Sequence, residues 1–186
     1  IILMTKRKEL IILALILSLA GFFRLWQLDV IPSGLYPDVA MNGMDALNAI
    51  KTHDFKFFYP DNNGREGLFI NLIALSFLIF GPSIWAIKLT AAIIGILTVF
   101  GTYLLAKELF SHLNIKPAGC LALLVIFLLA TSFWHLNFSR FGFRAIMVPF
   151  FLVFSFAFLL AGLKRQNLRL IITAGLVFGL GFHTYI

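Results

Sequence analysis

The chain has 186 residues, of which 61% are hydrophobic and only 12% charged, and 22 of them are Phe. A soluble core of this size has no room for so much apolar side chain, so composition excludes a soluble domain and indicates a membrane protein. The net charge of +7 does not mark a nucleic-acid surface, because the basic residues (Lys6-Arg7-Lys8, Lys107, Lys116, Lys164-Arg165, Arg169) stand at the edges of apolar runs, as positive-inside topology requires.

In chain order, the charge-free run from Leu10 to Phe23, extended by a snorkelling Arg24 and an interfacial Trp26, predicts a first transmembrane span over 10–28. No small-x-small cleavage site precedes Pro32-Ser33-Gly34, which argues against a cleaved signal peptide. With Lys6-Arg7-Lys8 held in the cytoplasm, the following loop over 29–67 lies outside a plasma (inner) membrane. That loop holds six of the eight acidic residues, Asp29, Asp38, Asp45, Asp54, Asp61 and Glu66.

Within the loop Pro37 suits the first position of a helix predicted over 37–51, placing Asp38 in the first turn, where the helix dipole favours a carboxylate. Asp38, Asn42 and Asp45 recur at i, i+4 and i+7 on a polar face, opposite Ala40, Met44 and Leu47, which reads as an amphipathic surface helix. Asp61-Asn62-Asn63-Gly64 is a turn cluster, followed at once by Arg65-Glu66. The next apolar run, over 67–80, is short for a span and predicts a second surface or re-entrant helix before Gly81-Pro82.

Further spans are predicted over 83–106, 117–136, 146–163 and 168–186. If 67–80 does not cross, Lys107, Lys116 and the 164–169 cluster all fall inside, which the positive-inside bias prefers. Phe138-Ser-Arg140-Phe-Gly-Phe-Arg144 then becomes a short outer loop with two Arg between aromatics. Ile1-Ile2-Leu3 precede Met4, and the last apolar stretch ends at Ile186 without a polar flank, so the chain reads as the N-terminal part of a longer protein, inactive alone.

This topology gathers Asp38, Asp45, Arg65, Glu66, Arg140 and Arg144 on the outer side. Carboxylates beside guanidinium groups suit group transfer from a lipid-linked phosphate: the carboxylate takes a proton and the cations hold the phosphate. The bland readings stand beside this one, with Asp38 as an ordinary helix-start residue, Asp45 as a structural partner of an Arg, and Arg140 and Arg144 as headgroup anchors. Glu66 could ligate a metal, but His53, His112, His135 and His183 are scattered without ligand spacing, and the lone Cys120 excludes a disulfide framework. Gly175-x-x-x-Gly179 reads as a helix-packing notch.

Tyr36-Pro37-Asp38, Asn42-Gly-Met-Asp45-Ala-Leu47, Asn63-Gly64-Arg65-Glu66, Phe77-x-x-Phe80-Gly81 and Asn137-Phe-Ser-Arg140-Phe-Gly-Phe-Arg144 follow one another in an order that resembles the N-terminal membrane module of GT-C glycosyltransferases. The similarity is to the protein O-mannosyltransferase and aminoarabinose transferase branch, the dolichyl-phosphate-mannose-protein mannosyltransferase superfamily. The resemblance implies an all-α polytopic transmembrane bundle with amphipathic helices in the first outer loop. It implies transfer of a sugar from a polyprenyl-phosphate donor to an acceptor protein, lipid or glycan, with Asp38 as catalytic base and Arg65 on the lipid phosphate. Val39 stands where Glu is usual, which removes the second carboxylate that a metal role would use. No cofactor is assigned, a divalent metal is left open, and membrane lipids are the other expected partner. The reading from a different class is a transporter or flippase, or a non-catalytic assembly subunit, for a lipid-linked anion. Spans without central charges or an internal repeat argue against transport.

Overall fold

A computed structural model describes residues 5–185; the opening Ile1 to Met4 and the final Ile186 lie outside the described residues. The chain is an all-α bundle: α1 (Lys6–Leu25), α2 (Pro37–Thr52), α3 (Gly67–Phe80), α4 (Ile84–His112), α5 (Ala118–Thr131), α6 (Phe133–Phe141), α7 (Met147–Arg165) and α8 (Leu168–Gly181). A 3-10 turn, Arg144–Ile146, leads into α7. Between α2 and α3 a short antiparallel hairpin pairs β1 (Phe58–Tyr59) with β2 (Arg65–Glu66), Phe58 opposite Glu66 and Tyr59 opposite Arg65.

The 29-residue α4 is the spine. At about 1.5 Å per residue it runs roughly 43 Å, more than a bilayer core. On one side Val99, Tyr103 and Ala106 pack with Leu13, Ile16 and Ala20 of α1 and Ala122, Ile126 and Ala130 of α5. On the other, Ile87, Ala91 and Ile94 meet Val39 and Ala46 of α2, Ile70, Ile73 and Phe77 of α3, and Met147 and Phe151 of α7. Small residues let these helices close on one another, as expected where lipid supplies no hydrophobic drive. A Cβ on Gly101 would stand 2.7 Å from Val153, and one on Gly43 2.6 Å from Ile87.

By length and apolarity α4 and the segment Arg144–Arg165 can each cross a membrane, and α5 with α6 would form a third crossing broken by a 56° bend. The 14-residue α3 and α8 are shorter apolar helices, each about 21 Å long. Polar contacts distinguish the two ends of the bundle. At one end Glu9 of α1 pairs with Lys107 of α4, 2.9 Å, and Glu108 pairs with Arg165 of α7, 2.8 Å. At the other, Lys88 near the start of α4 donates to the Pro32 carbonyl, 2.6 Å, and Arg140 binds the C-terminal turn of α1.

Four expectations change. Arg24 does not snorkel: it is fully buried and donates to the Ala20 and Ala130 carbonyls and to His135 Nδ1, at 3.0, 3.2 and 2.7 Å. The bundle supplies acceptors that the sequence does not announce. The expected loop 138–144 is mostly helix, because extended Ser132 breaks the chain after α5 and α6 then runs on to Phe141, ending at the left-handed Gly142. On α2 the buried stripe is Val39, Asn42, Gly43, Ala46 and Ala49, while Met44 is exposed. Asn42 faces inward because a buried guanidinium meets it there. Finally, nothing lies within 4 Å of a Cβ on Gly175 or Gly179, so that notch faces no described partner.

Gly67 permits the junction of hairpin and α3: its N–H donates to the Phe57 carbonyl at 2.7 Å, and a Cβ would lie 2.0 Å from the Lys56 carbonyl oxygen. Gly67→Ala is expected to destabilise this region by about 2–3 kcal/mol, seen as a lowered thermal transition in detergent, whereas Gly175→Ala, in open space, leaves the transition unchanged.

Candidate active site

The start of α2, the hairpin and the turn after α6 enclose an open cavity of about 540 Å³. Asp38, Val39 and Asn42 of α2 line one wall with Asn62, Asn63, Gly64 and Arg65 of the hairpin; Phe138, Phe143, Arg144 and Tyr185 complete it. Helix α2 begins because Pro37 occupies its first turn, and Asp38 follows there. Two backbone amides close this turn on Tyr36, those of Val39 and Ala40, each 2.9 Å from its carbonyl.

The hairpin carries the rest. Successive side chains on a strand point to opposite faces, so Arg65 and Glu66, adjacent in sequence, reach different partners. Arg65 is 2% exposed, the most deeply buried charge at the cavity. Its Nε donates to the Asp61 carbonyl at 3.2 Å, its Nη1 to Asn42 Oδ1 at 2.7 Å, and its Nη2 to the Asp45 carboxylate. Glu66 instead accepts from Arg144 Nη1. Arg144 thus joins the turn before α7 to the hairpin, and its guanidinium lies 4.8 Å from the Tyr185 ring centroid in a cation–π contact. Among the described residues it hydrogen-bonds only through Nη1, which leaves most of its five N–H donors open.

The base of the hairpin is fixed to α3. The Tyr59 hydroxyl donates to Asn71 Oδ1 at 2.9 Å, and Asn71 Nδ2 returns to the Lys56 carbonyl at 3.0 Å. Burial raises the Tyr59 phenol above its ordinary pKa, so it stays a neutral donor throughout the physiological range.

Of the residues expected from sequence, Asp38, Arg65 and Arg144 line the cavity, and Asp45 and Glu66 stand behind it as their ion-pair partners. Arg140 is not among the lining residues. It donates to the backbone carbonyls of Phe23, Trp26 and Ile31, at 2.6, 2.8 and 2.7 Å, and so ties α6 to the end of α1. Sequence reasoning missed Asn62, which reaches Asp38, and Asn42, which reads as a plain polar-face residue until Arg65 is placed beside it. Among the described residues no group of three or more His, Cys, Asp or Glu side chains could hold a metal ion.

A bundle of apolar helices with a polar cavity at one end, lined by Asp38, Arg65 and Arg144, defines a membrane protein. Residues 68–186 match the family model described as dolichyl-phosphate-mannose-protein mannosyltransferase, and the chain belongs to that family of membrane glycosyltransferases. The match starts just after the hairpin, so it covers Arg140 and Arg144 but not Asp38, Asp45, Arg65 or Glu66. Neither curated proteins nor solved structures yield a match.

Asp45→Ala leaves the Arg65 guanidinium buried without its counter-charge and is expected to cost about 3 kcal/mol. Thermal unfolding of the purified protein measures this, and replacing both partners together (Asp45→Leu with Arg65→Met) costs less than the single change.

Proposed function

We propose that the chain is the N-terminal part of a glycosyltransferase that moves a sugar, mannose in the family's description, from a polyprenyl-phosphate carrier to a hydroxyl acceptor on the outer face of the membrane. One observation carries the proposal: the Asp38 carboxylate and the Arg144 guanidinium line the same cavity at one end of an apolar bundle. That end lies opposite the basic residues Lys107, Lys164 and Arg165, and the positive-inside bias supports an outside location for the cavity. On this topology α3 lies along the surface: it starts beside Arg144 and hands over to α4 at the same end.

In the proposed reaction Asp38 takes the proton of the acceptor hydroxyl as its oxygen forms a bond to the anomeric carbon. The bond from that carbon to the phosphate oxygen breaks, and its electron pair leaves with the polyprenyl phosphate. Delivery opposite the leaving group inverts the anomeric centre, by analogy with single-displacement glycosyl chemistry. Arg144 serves as the phosphate clamp, since it lines the cavity with donors that its pairing with Glu66 does not use, and a guanidinium matches phosphate geometry. Arg65 has all three nitrogens engaged, so its part is to place positive charge in the cavity wall and to hold hairpin and α2 together. The family's description supports an acceptor on a protein.

The test uses the full-length protein in proteoliposomes with a polyprenyl-phosphate sugar. Asp38→Asn should lower turnover about 10²–10⁴-fold, the usual worth of a positioned base, with folding intact; unchanged turnover would falsify the assignment. Arg144→Ala should raise the donor KM roughly 10–100-fold, as loss of a charged hydrogen bond does.

A further inference from the structure

Asn62 is the one hairpin residue whose side chain reaches the carboxylate at the start of α2. Its Nδ2 donates to Asp38 Oδ1 at 3.0 Å, across 24 residues of sequence. The loop that delivers it is tightly specified. Asn62, Asn63 and Gly64 all adopt left-handed backbone, with φ of 53°, 65° and 83°, and Gly64 N–H closes the turn on the Asp61 carbonyl at 3.3 Å. Asn tolerates that conformation better than other residues with a side chain. One residue further on, Arg65 is locked into α2, so the loop cannot drift relative to Asp38.

Both Asn62 and Asp38 are exposed on the cavity wall. A hydrogen bond between exposed groups adds little to folding stability, because water replaces it readily. Its effect is local. Oδ1 is engaged by the Asn62 amide, and Oδ2 has no protein partner among the described residues. A neutral amide orients the carboxylate without adding a second formal charge beside it, as a Lys or Arg in the same place would.

We propose that Asn62 is a positioning residue for the transfer reaction: its amide fixes the Asp38 carboxylate so that the free oxygen is presented to the acceptor hydroxyl. The inference rests on the reading of Asp38 as the base. It assigns to the turn Asp61–Gly64 a role in catalysis through Asp38, not in binding the donor.

The experiment measures kcat and donor KM for the full-length enzyme in proteoliposomes with a polyprenyl-phosphate sugar. Asn62→Gly removes the amide while leaving the left-handed backbone unstrained, and Asn62→Asp keeps the shape but offers no N–H. Both should lower kcat about 10–100-fold with the donor KM within about twofold. Added to Asp38→Asn, Asn62→Gly should cause no further loss, because a residue that acts through Asp38 has nothing to act on once the base is gone. An unchanged kcat in Asn62→Gly, a raised KM at constant kcat, or a further drop in the double variant each overturns the positioning role alone. Full turnover by Asp38→Asn removes the base and, with it, this inference.

Discussion

The buried Arg65 guanidinium is the constraint on which the cavity end of this protein depends. A cation taken out of water requires acceptors on every side, and these come from three places in the chain: the Asp61 carbonyl in the turn, Asn42 and Asp45 one helical turn apart on α2. Satisfying that one side chain fixes the rotation of α2 about its axis and the height of the hairpin beside it. The positions of Asp38 and of Glu66 then follow, since one lies a turn above Asn42 and the other is the next residue on β2. A two-residue strand pair is marginal by itself in water; here the side chains of Arg65, Glu66 and Tyr59 are held by neighbouring elements.

The two ion pairs at the cavity have different characters. Asp45 and Arg65 close on each other with further hydrogen bonds around the guanidinium, which is only 2% exposed. Glu66 and Arg144 are each about 15% exposed, and Arg144 retains donors that the pair does not use. The first pair behaves as scaffold; the second holds a cation at the wall of a polar cavity while leaving it able to take another anion.

Much of this was legible in the sequence, in ways that depended on range. Composition and the placement of Lys and Arg at the edges of apolar runs define a helical membrane protein without any contact being known, because the bilayer imposes those features locally. The i, i+4, i+7 spacing of Asp38, Asn42 and Asp45 locates α2 and its polar face. What the spacing does not reveal is that this face turns inward, because the reason is an arginine that arrives from a hairpin 20 or more residues later. Arg24 looks like an interfacial residue for the same reason: its acceptors belong to α5 and α6. The loop expected over 138–144 failed differently, since aromatic and basic residues at that spacing suit an amphipathic helix as well as a loop, and only the break at Ser132 decides.

The burial of Arg24 sets an order of assembly. Among the described residues its guanidinium pairs with no acid, and it relies on the Ala130 carbonyl and His135 Nδ1, 106 and 111 residues downstream. With Nδ1 accepting, the ring proton sits on Nε2, which has no partner of its own among the described residues. When α1 leaves the ribosome, none of this exists, and an apolar helix ending in a bare cation rests most stably with that end in the headgroup layer. Only after the bent α5–α6 pair has been made can the arginine leave the headgroups and α1 settle into its final depth. A helix synthesised before α5 and α6 therefore reaches its native position only after they do.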